Sequence, residues 1–165
     1  MRSAENNGVW TGSQGNKWGK IMAILNYTTK IEASKTASEV QQILAKGGAK
    51  QISIDYDEGI PSALTFTITY LEQPIHFRLP CNVEGVYKSL CNSKIPYAKK
   101  TMAQARRVAW RIIKDWTEAQ LAIVESRQAQ MTEVFLPYVV QEGGQTLFQK
   151  FTESTQKQLT SGEWC

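Results

Sequence analysis

The stretch from Thr101 to about Arg127, TMAQARRVAWRIIKDWTEAQLAIVESR, constrains the chain most, because neither Gly nor Pro interrupts it. Thr101 with Gln104 three residues on matches a capping box, in which each side chain satisfies a free backbone N–H at a helix start. Ala105, Ala109, Ile112, Trp116, Ala119 and Ile123 then recur at the spacing of one helical face. The spacing predicts a single long helix. Arg107 and Arg111 stand one turn apart on it, and Lys114 continues their row. Such a helix has an apolar side to pack and a cationic side to meet something.

The cationic side belongs to a wider charge asymmetry. No acid occurs between Glu84 and Asp115, while Lys88, Lys94, Lys99, Lys100, Arg106, Arg107, Arg111 and Lys114 all fall in that interval. The chain's formal net charge is only +4, so the block is a local excess. It suits an anionic partner, or else a solvated helix face. The first acid after the block, Asp115, is placed to orient Arg111 and leave Arg107 as the freer phosphate donor.

The rest of the chain predicts an α+β fold. Ile52, Ile54 and Tyr56 alternate with Ser53, Asp55 and Asp57. Leu64, Phe66, Ile68 and Tyr70 alternate with Thr65, Thr67 and Thr69. Ile75, Phe77 and Leu79 alternate with His76 and Arg78. Period-two patterns of this kind are half-buried strands. Asp57-Glu58-Gly59 and Glu72-Gln73-Pro74 supply the turns. The result is a three- to four-stranded antiparallel meander packed against helices, with Leu25–Ile31 (LNYTTKI) as a further strand. Thr36 and Glu39 form a second capping box, opening a helix from Ala37 to Lys46 that buries Val40, Ile43 and Leu44 and stops at Gly47-Gly48. Pro80 ends the meander. Asn82 caps a short helix, Val83 to Leu90, and Pro96 ends the loop after it. Met131 to Val140 is apolar and broken at Pro137, Gly143-Gly144 makes a joint, and Leu147, Phe148 and Phe151 indicate a last short helix.

With 165 residues, 42% of them hydrophobic, one globular domain is expected, over residues 22–155. Residues 1–21, polar and rich in Gly, Ser and Asn, read as a disordered leader, with Met22 as an alternative start. Residues 156–165 read as a frayed tail. The N-terminus has no apolar run of signal-peptide type and nothing approaches a membrane span, so a cytoplasmic protein is expected. Cys81, Cys91 and Cys165 make no even framework and, with His76 the only histidine, no familiar metal pattern. Trp110, Ile113 and Leu121 add apolar surface beyond the main stripe, which predicts that the long helix packs against a symmetry mate.

No catalytic set emerges. His76 stands alone beside Arg78, Asp55 and Asp57 are most simply turn formers, and no Gly-rich loop joins a strand to a helix. No catalytic residue, cofactor or metal is expected. Binding fares better. Arginine forks suit phosphate, and an aromatic or guanidinium plane with an amide suits a nucleobase. Phe77, Arg78, Asn82, Arg106, Arg107 and Arg111 are the candidates, although Phe77 also suits the core and Asn82 a helix cap.

The succession LNYTTKI, ILAKGGAKQISIDYD, ALTF, FRLPCNVEGVYK, ARRVAWRIIKDWTEAQLA, FLPYVV and GGQTLF resembles the first type of Thoeris anti-defence protein, a family of small phage and prophage proteins, over roughly Leu25 to Phe151. The resemblance implies a sponge that binds cyclic ADP-ribose isomers made by TIR-domain proteins without cleaving them. It implies a homo-oligomer, dimer or hexamer, with ligand pockets between subunits. Some members also take up cyclic oligonucleotides at a separate arginine-lined site. Carried onto this chain, it points to Arg107 with Arg111 and to the segment Phe77 to Asn82. The competing readings are a small phage-encoded DNA- or RNA-binding protein using the basic helix, and a structural protein whose basic face meets an acidic partner.

Overall fold

A computed structural model of the chain describes residues 23–161. The expected leader, residues 1–21, lies outside them, as does Cys165. The order of elements is α1 (Ala33–Lys46), β1 (Gln51–Asp57), β2 (Ile60–Tyr70), β3 (Gln73–Leu79), α2 (Val83–Asn92), a 3₁₀ turn at Tyr97–Lys99, α3 (Met102–Glu125), α4 (Met131–Val134), a 3₁₀ turn at Leu136–Tyr138, and α5 (Leu147–Ser161). The three strands form an antiparallel meander in the order β1-β2-β3. This is the α+β architecture with one long helix that the patterns predict.

Register puts Ile52, Phe66 and Phe77 in one row across the sheet, and Ser53, Thr65 and Arg78 in a row on the other face. The apolar rows meet the helices. Phe66 stacks on Phe77 with ring centroids 5.0 Å apart, and Phe135 meets Phe66 edge-on at 5.3 Å. Trp110 is fully buried, and its indole N–H donates to the Pro61 carbonyl at 3.0 Å. Ile113 and Leu121 are buried in the same core. The surface expected to be spare for a symmetry mate is therefore consumed within the chain. Both hairpin turns use positive φ, at Glu58 and Gly59 and at Leu71 and Glu72, as the turns that match strand twist require.

Four local expectations are corrected. Leu25–Ile31 is not a strand. It forms turns, because Asn26 sits at φ 64° and the buried Gln104 amide donates to the carbonyls of Tyr27 and Thr29, both at 2.8 Å. The capping box at Thr101 is consequently half formed: Thr101 Oγ1 accepts from the Gln104 N–H at 3.1 Å, but the Gln104 side chain is occupied elsewhere. The first helix begins at Ala33 rather than Ala37. Thr36 lies inside its first turn, donating to the Glu32 carbonyl at 3.3 Å, and Glu39 is drawn to α3. The last helix is not short, and the tail expected to fray is helical through Ser161; no Gly or Pro occurs between Leu147 and that point.

α3 packs along α1 on one side and α2 on another. Among the described residues every buried side-chain nitrogen or oxygen has a hydrogen-bond partner, and no helix is long and apolar enough to cross a membrane.

Candidate functional site

The cationic row on α3 meets acids from α1. Arg107 donates through Nε and Nη2 to Glu32 Oε1, at 2.9 and 2.6 Å, and Arg111 Nη1 lies 2.6 Å from Glu39 Oε2. Lys114 pairs with Glu118 one turn on, at 2.6 Å. Asp115 does not orient Arg111; it accepts from the Asn26 amide at 2.7 Å. The gap in acids along the chain is thus closed in space, by residues 75 and 72 positions away. Sequence reasoning missed Glu32 and Glu39 as partners. Their helical spacing, seven apart on one face, was the available signal.

The remaining candidates scatter. Phe77 has no exposed surface and both ring faces are inside the aromatic core. Arg78 points from the opposite sheet face and lies 3.6 Å from Asp55. Asn82 caps α2 by accepting from the Gly85 N–H at 2.8 Å. Arg106 is half-buried and, among the described residues, makes no ion pair or side-chain hydrogen bond. His76 Nδ1 lies 2.7 Å from Thr67 Oγ1, with no carboxylate completing a relay.

Of these residues, Asn82 borders a concavity. A groove of about 290 Å³ runs between α2 and α3 and is closed by the turn at Tyr138. Ala109, Ile112, Ile113 and Trp116 form its floor, Val86 and Pro80 its sides, and Asn82 its polar rim. Ile112 and Trp116 are only half-buried there. These are members of the apolar stripe read from the sequence as core. Spacing shows which residues share a face, not how much of that face a neighbour covers. Arg106 stands three residues before Ala109 on α3 and is not among the residues that line the groove. At about 100° per residue, Arg107 and Arg111 lie roughly 160–200° around the helix from Ala109. Groove and arginine pair therefore occupy opposite sides of α3.

Two titrations are displaced. Burial pushes the Cys81 thiol up to about 11. Tyr87 is raised by its hydrogen bond with the Cys91 side chain, then by the charge of Cys91. Cys91 itself is exposed, and neither cysteine is in a disulfide. Among the described residues no group of three His, Cys, Asp or Glu side chains could hold a metal ion. Comparison of the chain with protein-family models, with curated proteins and with solved structures finds no match in any of the three.

Proposed function

We propose that this protein is a non-catalytic sponge for a small nucleotide signal, a cyclic ADP-ribose isomer, acting for a phage in the cytoplasm of its bacterial host as the resemblance to the Thoeris anti-defence family implies. The observation that carries the reading is the groove between α2 and α3, with apolar walls for a base and an amide at the rim. Its 290 Å³ falls just below the range of roughly 300–1,000 Å³ typical of small-molecule sites. It holds one moiety of such a ligand, not the whole. The phosphates extend beyond the rim.

Arg107 and Arg111, the phosphate donors that the resemblance implies, face the other side of α3. Arg111 engages Glu39 through one nitrogen only, so donors remain to it. A ligand touching both the groove and this pair bridges two copies of the chain, which favours a homo-oligomer with sites between subunits. The α3 helix is a poor reader of a DNA groove, because its basic row is paired with acids and it packs along α1 and α2.

Calorimetric titration with cyclic ADP-ribose isomers, followed by denaturation and mass spectrometry of the released ligand, tests the reading. Stoichiometric binding and an unchanged mass are expected. Ile112→Trp fills the groove and lowers affinity by at least about tenfold, with the melting temperature nearly unchanged. Absence of heat with every isomer, or a hydrolysed linear product that scales with protein, overturns the proposal.

A further inference from the structure

Pairing on α3 splits the basic block in two. Arg107, Arg111 and Lys114 are neutralised. Among the described residues, Lys88, Lys94 and Lys99 form no ion pair, and they gather on α2 and the turn that follows it. No acid occurs from Gly85 to Lys114 in this part of the chain.

An aromatic residue falls between Lys94 and Lys99 in the same stretch of chain. Tyr97 is 88% exposed, more than any other large hydrophobic residue described. An exposed ring on a floppy loop would mean little, but this one is held. Pro96 precedes it, the Lys99 N–H donates to the Pro96 carbonyl and the Lys100 N–H to the Tyr97 carbonyl, both at 2.9 Å. Lys100 Nζ donates to the Cys91 carbonyl at 2.9 Å, tying the turn back to α2. Ser93, itself buried, fastens the loop to α2 through the Ser89 carbonyl at 2.6 Å.

We propose that this corner of α2 and the Tyr97 turn binds single-stranded nucleic acid, with Tyr97 as a stacking platform and Lys88, Lys94 and Lys99 as phosphate contacts. The combination of a basic track with a presented aromatic face is what unpaired bases require: every base has a π-face, and the backbone supplies the charge. A duplex hides those faces. The site is separate from the groove between α2 and α3 and needs one copy of the chain only.

Fluorescence anisotropy with labelled twelve-nucleotide oligo(dT) and oligo(U), using the full chain, tests it. Binding is expected at 50 mM salt, with log affinity falling against log salt at a slope of about −2, from three contacts at roughly −0.7 each. Tyr97→Ala weakens binding roughly 5- to 150-fold, and Tyr97→Phe retains it. The combined Lys88→Gln, Lys94→Gln, Lys99→Gln variant loses most of the salt dependence. Ile112→Trp leaves strand binding unchanged, which keeps this result distinct from failure of the groove. The proposal is overturned if neither oligonucleotide binds at 50 mM salt, if Tyr97→Ala binds like the parent, or if a duplex of the same length binds as tightly as the single strand. Binding to phosphatidylserine vesicles without binding to either strand also overturns it.

Discussion

Arg111 sits on α3 with its nearest carboxylate on α1, and neutralising it should loosen the contact between the two helices. The Arg111–Glu39 pair is short, at 2.6 Å, and its side chains are only 18% and 30% exposed. A hydrogen bond to a charged group contributes about 1.5–3 kcal/mol when sheltered, while fully exposed pairs contribute about 0.2–1 kcal/mol. Partial exposure puts the coupling between Arg111 and Glu39 near 1–2 kcal/mol. The Arg107–Glu32 pair has the same closest distance, but Glu32 is 64% exposed, so its coupling belongs to the lower range. At about 2–4 °C per kcal/mol for a chain of this length, Arg111→Ala lowers the melting temperature by roughly 2–8 °C. Urea unfolding of the parent, Arg111→Ala, Glu39→Ala and the double variant isolates the coupling. A coupling within about 0.3 kcal/mol of zero refutes the argument. Arg111 would then be a solvated cation with nothing structural to lose.

Three further outcomes follow from particular residues. Leu71 and Glu72 both occupy positive φ, and Leu71 is 79% exposed; Asn-Gly in their place relieves left-handed strain of about 1–2 kcal/mol per residue in part and raises the urea midpoint, whereas a lowered midpoint shows that Leu71 packs. Cys81 is protonated in the fold up to about pH 11, against an ordinary value of 9.0; its raised value means that its share of stability is present below about pH 9 and is lost as pH rises through about 11. That alkaline loss should be smaller in Cys81→Ala, and an identical pH profile counts against it. Gln104→Leu removes two hydrogen bonds to the turn at Tyr27–Thr29 and leaves their carbonyls unpaired, at about 1–3 kcal/mol; hydrogen exchange should quicken in peptides covering residues 23–31 and not in the sheet.

The parts of the fold that were legible are those settled by neighbours in sequence. The meander follows from period-two alternation and turn residues a few positions apart. α3 follows from its unbroken apolar spacing and Thr101. What was not legible is settled across the chain. LNYTTKI has the composition of a strand, but its carbonyls are claimed by Gln104, 75 and 77 positions away. The start of α1 was misplaced because Glu39, which looked like half of a capping box, pairs instead with Arg111. The acid-free interval around the candidate arginines is a property of the linear chain, and a one-dimensional count does not see a parallel neighbour such as α1, whose end and first turns bring Glu32 to Arg107 and Glu39 to Arg111. Phe77 was read both as core and as ligand plane; register settles it in favour of the core, since it lies opposite Phe66.

The same geometry separates the two binding readings by stoichiometry. The groove floor and the arginine pair lie on opposite sides of α3, so a ligand that requires both requires two copies of the chain. Tyr97 and its lysines lie on one copy, held by hydrogen bonds that begin and end within residues 89–100. Dilution below the dissociation constant of an oligomer therefore removes an intersubunit nucleotide site by mass action, and leaves single-strand binding per chain intact. Salt acts in the opposite sense. It weakens phosphate contacts at the lysines steeply, and affects far less a base held between apolar walls at Ile112 and Trp116. Concentration and ionic strength are independent axes, and the two sites should respond to different ones.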